Sequence, residues 1–494
     1  MKKFRSPKRT KEVGLRKVIG ARRYQLTFQF LSESLILAFI SLFLALMITP
    51  FILPEFNELI DRKISMNLLE NSFLIPGLLI ITVIIGVLSG SYPAIFMASL
   101  RPIKSLKGKL GRNSKGNRLQ KSLIIAQYAV SIGMIICSVI IYQQFQFIQK
   151  KDLGFDKDQI ITVRLRGSEI RSSVDVVKQE LLSNPNIISV TRSQNLPTHL
   201  AQSTIVNDDR GGDPADDLDI YQLRADQDFL NVFGIELLAG EYFSAATLKN
   251  QNAPVCLINE TAASAMGWSI EEAATQKFTE DWNRGDRKII GVVKDFHMHS
   301  MHLPIAPLLI EPIRPNRGRY LSIKVRPENL KGTLNFIEKN IKQHSPYPYE
   351  SRFLDDHFND LYKDDLKQSE IFLVFTILAI LIASLGLFGL AAFHINERLK
   401  EVSIRKVLGA SVRSITLLFS LKFLRLVFWG FLIAIPVSIA AASYWLEFFT
   451  YRVDIEWWIF VTVGAAVASI AFFTVGIQSV KAAIANPVES LKDE

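Results

Sequence analysis

The sequence predicts an α-helical membrane protein with six transmembrane helices that carry a mixed α/β extracytoplasmic domain. Three observations lead there. Six stretches are apolar enough, and long enough at ~20 residues, to cross a hydrocarbon layer of ~30 Å as helices. Basic residues crowd the ends of particular stretches, and about 220 residues of soluble character separate the third stretch from the fourth. The bulk composition agrees: 49% of the 494 residues are hydrophobic, 21% are charged and the mean hydropathy is +0.21, too apolar for a disordered chain.

The six spans are 30–53, 73–99, 119–146, 369–395, 423–446 and 457–480. One such stretch could be a buried core helix, but six cannot hide inside a soluble fold of this size. Their orientation follows from the positive charges at their ends. Residues 1–25 hold ten Lys and Arg against the single acid Glu12, residues 101–121 hold eight and no acid, and Arg398, Lys400, Arg405, Lys406 and Arg413 form a third cluster. These three belong in the cytoplasm. The insert 147–368 carries 27 basic and 32 acidic residues, 27 − 32 = −5, and alternation of the spans puts it outside. Both rules make the protein multi-pass, with its chain ends cytoplasmic and its large domain outside. The basic N-terminal stretch lacks the short apolar core and small-residue cleavage site of a secretory signal.

Composition and motifs exclude several functions. The net charge of +10 belongs to the span ends, so it points to anionic lipid and not to nucleic acid. Two cysteines, Cys137 and Cys256, can make neither a disulfide scaffold nor a four-thiolate metal site. Gly108 to Asn117 lacks the Gly-Lys-Ser/Thr ending of a phosphate-binding loop, and no nucleophile elbow or dinucleotide fingerprint is present. The chain is therefore expected to be no enzyme and to need no cofactor.

Within the insert, strand-like runs (Ile160 to Leu165, Ile187 to Thr191, Lys288 to Val293, Tyr320 to Val325) mix with helical ones (Ser172 to Leu182, Asn259 to Met266, Leu330 to Gln343), and Asn207 to Asp219 reads as an acidic loop. Asp295, His297, His299 and His302 offer metal-type donors, and on a strand His297 and His299 would share a face. A strand end leading into solvated histidines is the plainer reading, and no metal site is assigned.

The most informative pattern is internal. RTKEVGLRKVIGA at Arg9 to Ala21 returns as RLKEVSIRKVLGA at Arg398 to Ala410, with a constant offset of 389 and nine identities in thirteen positions. Each copy places Glu four residues before Arg, a helical pairing worth ~0.3–0.5 kcal/mol, and ends near a glycine before entering an apolar span. Simple anchoring on lipid would explain the charge. It would not explain a repeated order of Lys-Glu and Arg-Lys about the same apolar positions, which a docking surface for a cytoplasmic protein does explain. The candidate site residues are Arg9, Lys11, Glu12, Arg16, Lys17 and Gly20 in the first copy, and Arg398, Lys400, Glu401, Arg405, Lys406 and Gly409 in the second. The tails after the paired spans also match, SLRPIKSLKG at Ser99 to Gly108 with IANPVESLKD at Ile484 to Asp493.

These repeats, with GSYPA at Gly90 to Ala94, DFLNVFGIELLAGEYFS at Asp228 to Ser244, INETAASAMGW at Ile258 to Trp268 and GVVKDFHMHSMHLPIAPLLI at Gly291 to Ile310, resemble the MacB/FtsX-type permeases of bacterial ABC transporters. The resemblance implies a cytoplasmic coupling segment 1–25, a partial first FtsX-like module 26–118 with two spans and a basic linker, and a stalk helix 119–146. It further implies a MacB-like core domain 147–367, a second stalk helix 368–395 and a second module 396–494 with a coupling helix 398–410. By resemblance, a full two-module member would carry a span, an outside domain and a span ahead of the first repeat. The family further implies a permease subunit that couples hydrolysis by a separate ABC ATPase dimer to movement of the periplasmic domain for export, efflux or lipoprotein or peptide handling. A second permease module or another copy, membrane lipid and a periplasmic adaptor are the other expected partners. The alternative is an FtsX-like signalling regulator of a cell-wall hydrolase or an antimicrobial-peptide response. GVLSG at Gly86 to Gly90 allows close helix approach, within this chain in preference to a dimer seam.

Overall fold

The computed structural model describes residues 15–65, 73–99, 114–197, 202–207, 218–244, 247, 255–280, 286–314 and 316–484. Six helices are long and apolar enough to cross a membrane. They are α1 (Arg23–Ile60), α2 (Leu74–Ser99), α3 (Ser114–Lys150), α4 (Lys363–Glu397), α6 (Val412–Leu446) and α7 (Trp457–Ile484), with the short α5 (Leu399–Val407) between α4 and α6. Most overrun the apolar stretches that predict them, because a helix need not stop where its hydropathy does. Thus α1 keeps Pro50 and Pro54 inside it and ends at Asp61, whose left-handed backbone (φ 52°) returns its N–H to Asn57 and Glu58.

The chain forms two compact units. The first comprises residues 1–140, 367–441 and 455–494; the second comprises 141–366 and 442–454. In the first, α2 packs on α1 so closely that a Cβ built on Gly90 would lie 2.8 Å from Ser34 Cβ, and one on Gly86 would lie 2.8 Å from Leu35 Cδ2. GVLSG is thus filled by this chain's own α1. Helix α3 meets α6 at Gly430, where a Cβ would lie 3.0 Å from the Ile125 carbonyl oxygen. Hydroxyls stitch α3 to α4: Ser138 and Thr376 pair at 3.0 Å, and Ser131 donates to the Ala379 carbonyl at 3.1 Å.

The second unit is built on an 11-stranded sheet. Its first lobe is the antiparallel array β11 (Ser351–Phe353), β1 (Ile160–Arg164), β10 (Tyr320–Val325) and β2 (Ile187–Ser193). Alternation sends Ile161, Val163, Val190, Leu321 and Ile323 to one face, where they bury against helices 174–182 and 330–344 through Val177, Leu181, Ile337 and Ile341. Thr162, Thr191 and Ser322 share the opposite face.

In the second lobe, β4 (Leu218–Ala225), β3 (Gln202–Asn207), β7 (Lys277–Glu280), β8 (Asp286–Val293), β6 (Val255–Asn259) and β9 (Leu308–Pro312) pair in that order. Parallel pairing of β9 with β4 closes the ring, and β5 (Leu237–Gly240) adds to β8. Residues 208–217, most of the expected acidic loop, lie outside the described residues. A third core joins the lobes. It contains Phe229, Phe233, Phe296, Met301 and Phe358, and also Phe449, which comes from the segment linking α6 to α7.

Candidate functional site

Both copies of the repeat fold into the same structure. Residues Leu15–Val18 are helical and stop at Gly20 (φ 100°); α5 stops at Gly409 (φ 91°). Only a residue without a Cβ adopts this left-handed turn freely. The hydrogen bonds match pair for pair. Ala21 N–H donates to Arg16 O and Ala410 N–H to Arg405 O, both at 2.9 Å, while Gly20 N–H reaches Lys17 O at 3.2 Å and Gly409 N–H reaches Lys406 O at 3.1 Å. This is the Schellman arrangement, which satisfies carbonyls that a helix end leaves open. The following span starts at Arg23 in one copy and Val412 in the other, again 389 apart.

Side-chain exposure repeats as well. Leu15, Val18 and Ile19 are 54%, 60% and 77% exposed; their equivalents Ile404, Val407 and Leu408 are 52%, 69% and 80% exposed. Spaced i, i+3, i+4, each triad forms one apolar stripe that the chain leaves uncovered. Charge counting alone passes over these six residues, though their shared apolar character in the repeat was a usable signal.

Of the residues singled out from the sequence, Arg9, Lys11 and Glu12 lie outside the described residues. Arg16 donates to Gln29 Oε1 at 2.6 Å. In the second copy Glu401 holds Arg405 at 2.9 Å, the expected i, i+4 pair, and also Arg398 at 3.2 Å. These pairs are solvent-exposed and orient side chains more than they stabilise the helix. Lys400 and Lys406 lie in α5, which packs against α7 and buries Val402 (3% exposed).

The histidine-rich stretch follows a strand end, as expected, but its side chains are more enclosed than expected. Strand β8 ends at Val293, so the histidines occupy the loop beyond it and share no strand face. Nor are they solvated. Asp295 accepts from Thr261 N–H at 3.0 Å and Thr261 Oγ1 at 2.7 Å at the start of helix 260–265. His297 is buried edge-on to Tyr451, and its pKa is pushed down to about 4 by burial and then by Lys151. His299 lies edge-on to Tyr221, and His302 Nε2 meets Asp365 Oδ2 at 3.0 Å. The three rings serve different neighbours, and among the described residues no group of three or more His, Cys, Asp or Glu side chains is placed to hold a metal ion.

This loop instead grips the segment 442–454. Thr450 Oγ1 donates to the His302 carbonyl at 3.0 Å, and Lys151 Nζ lies 3.5 Å from the Tyr451 ring centre. Gln144, fully buried near the end of α3, donates to Tyr451 O at 2.7 Å and accepts from Val453 N–H at 2.8 Å, so its amide pairs with the segment as a strand would. Nothing in the sequence marks this contact, since one glutamine in an apolar run carries no pattern.

Comparison with known proteins fits this layout. A family model described as FtsX-like permease C-terminal matches residues 3–102 and again 373–487, the two copies of the repeat with their spans. The MacB-like periplasmic core domain matches residues 123–331 between them. The chain belongs to the MacB/FtsX-type ABC permease family. This permease is 34% identical over 98 residues to the macrolide export ATP-binding/permease protein MacB of Campylobacter jejuni, a match covering 20% of this chain and 15% of that protein. It is 30% identical over 101 residues to the uncharacterized ABC transporter permease YvrN of Bacillus subtilis, covering 20% of this chain and 23% of YvrN. The permease thus spans under a quarter of the length of these curated relatives. The crystal structure of the periplasmic region of MacB from Actinobacillus actinomycetemcomitans covers 43% of this chain and 97% of its own, with 16% identity and a TM-score of 0.30.

Proposed function

We propose that this protein is the transmembrane subunit of an ABC system in which a separate cytoplasmic ATPase dimer supplies the energy, and that residues 9–21 and 398–410 are where the ATPase docks. The observation that carries this reading is the repeated, capped helix end with an uncovered apolar triad framed by Arg16 and Lys17, or by Arg405 and Lys406. An apolar stripe rimmed by like charges is the composition of a protein-binding patch, and lipid anchoring alone does not require the identical turn. The charge bias of the span ends supports a cytoplasmic location for both copies and a periplasmic location for the domain. Helices α3 and α4 bracket that domain in the chain, so tilting at their cytoplasmic ends is the motion proposed to reach it.

The test is co-purification with the cognate ATPase after Arg405→Glu with Lys406→Glu, and separately after Ile404→Ser with Leu408→Ser. Both pairs are expected to weaken association by at least about tenfold, the effect of losing a charged or apolar anchor at an interface centre, while membrane insertion stays normal. Undiminished association of both variants rules out docking at the second copy. Maleimide labelling of a single cysteine placed at Leu408 or at Ser345, in a background without Cys137 and Cys256, tests sidedness: Leu408→Cys is expected to react only from the cytoplasm.

A further inference from the structure

Three of the long helices run from the first unit into the second without a break. Helix α3 crosses between residues 140 and 141 and α4 between 366 and 367, as the two ends of an inserted domain must. Helix α6 crosses as well, although no domain is inserted behind it: residues 412–441 belong to the first unit and 442–446 to the second. At ~1.5 Å per residue its 35 residues make a rod of about 50 Å. One buried stripe runs its length, from Ile415 through Phe423, Val427, Ala434 and Ala442 to Leu446, each at most 4% exposed. Pro436 removes the hydrogen bond to the Leu432 carbonyl, yet the helix and its stripe continue past it.

Both ends of the rod are tied without slack. At the start, only Ala410 and Ser411 separate α6 from the Gly409 turn, and the Ser411 hydroxyl accepts from Ser414 N–H at 3.2 Å. At the far end, Phe448 N–H donates to Trp445 O at 3.2 Å and Phe449 N–H to Leu446 O at 3.0 Å, which continues the helix as a turn into the gripped segment. There the Phe449 ring centre lies 4.1 Å from that of His302, and the Trp445 ring lies 4.8 Å from Phe449 and 6.4 Å from Phe145. Helix α7 offers no equal path, since residues 452–456 between the gripped segment and its first turn belong to no helix or strand. Nor does the first repeat, whose following span α1 lies wholly in the first unit.

We propose that α6 is a connecting rod: displacement of the docking turn 398–410 travels along it into segment 442–454, and from there into the domain through Gln144 and the loop that ends at His302. The inference rests on the reading of 398–410 as the ATPase dock, and it adds to the stalk pair α3 and α4 a third path that starts at the dock itself. Hydrogen-bonded helices shift as bodies, sliding or rotating between discrete packings, and do not stretch. The two repeats then do unequal work, because only the second is wired to the domain of this chain.

The experiment follows hydrogen exchange at 448–453 in the full chain, in nanodiscs, with the ATPase that co-purifies with it, before and after addition of AMP-PNP. Nucleotide is expected to change protection there by at least about threefold, a local-opening effect. A Gly-Ser-Gly-Ser insertion between Ala410 and Ser411 keeps the sequence of the docking turn, the rod and the grip but lets α5 move without α6. It should abolish the change while the ATPase still co-purifies. The same insertion between Asp454 and Ile455, on the α7 side, should preserve the change. A change that survives the first insertion overturns the proposal and leaves α3 and α4 as the path. No change in the unmodified protein with its ATPase bound also overturns it, with the docking reading left standing, whereas an ATPase that never co-purifies removes both. If the first insertion prevents folding or association, Trp445→Ala, which loosens the rod at the end away from the dock, decides: an undiminished change there overturns the proposal, and a reduced one supports it.

Discussion

His302 faces Asp365 across 3.0 Å with Nε2, while its Nδ1 faces the Phe448 carbonyl at 3.3 Å. Both neighbours accept hydrogen bonds, so both ring nitrogens are satisfied together only in the imidazolium. The Asp365 hydrogen bond holds the His302 pKa above its usual value against partial burial, with Tyr362 and Phe449 stacked on the ring. A raised folded pKa contributes stability that is complete below the unfolded value of ~6.5 and is lost as pH climbs through the folded value. Hydrogen exchange at Phe448 to Thr450 is therefore expected to quicken, beyond its intrinsic dependence, as pH rises past the unfolded value of ~6.5 and through the raised folded one. In His302→Gln that extra pH dependence should vanish. A slope that survives the substitution would assign the effect to another group.

Gln144→Ala leaves Tyr451 O and Val453 N–H without their partner in a dry environment. Each unpaired buried group costs ~1–3 kcal/mol, so a lower unfolding midpoint in detergent and faster exchange across 450–453 are expected. Gln144→Glu keeps the acceptor for Val453 but cannot donate to Tyr451 as a carboxylate, and should be no better than alanine. Wild-type exchange in both variants would contradict the pairing.

Gly90→Val drives a branched side chain into Ser34, where even a Cβ lies at 2.8 Å. Overpacking of this kind costs ~1–3 kcal/mol, read as a lower thermal midpoint of the purified protein. Gly133, where a Cβ would meet nothing within 4 Å, serves as the control and should accept alanine with little change.

Gly20→Ala and Gly409→Ala put a Cβ on left-handed backbone at open positions, so the cost is conformational and not steric, about 1 kcal/mol each. If the two turns serve one purpose, both variants should weaken ATPase association in the same direction, and the double variant more than either. An effect confined to one copy would show that the repeat is structurally but not functionally symmetric.

The spans were legible because ~20 apolar residues in a row have few other uses, and the two helix-end copies because a fixed offset of 389 preserves both charges and glycine. Of the second lobe, β8 and helix 260–265 were legible and the other strands were not. Strands β6 and β9, with sequences VCLIN and LLIEP, are short apolar runs without alternation, and β4 with β9 pair across more than eighty residues. The end of β8 at Val293 was legible as the end of an apolar run, but the enclosure of His297 was not, because nothing in DFHMHSMH shows that the loop packs on the segment 442–454; the chain leaves the sheet there and Asp295 caps helix 260–265. Trp445, Phe449 and Tyr451 look like interfacial anchors at the end of a span, and only the fold reveals that they pack against the domain.

The linker between the last two long helices completes the second unit, and this sets how that unit can be cut free. A fragment trimmed to residues 147–367 would leave a greasy socket where Phe449 belongs and would strand Met301, Phe358 and Tyr362 against solvent. A well-behaved soluble excerpt therefore has to graft residues 442–454 back on, as a tethered peptide or a permuted chain end.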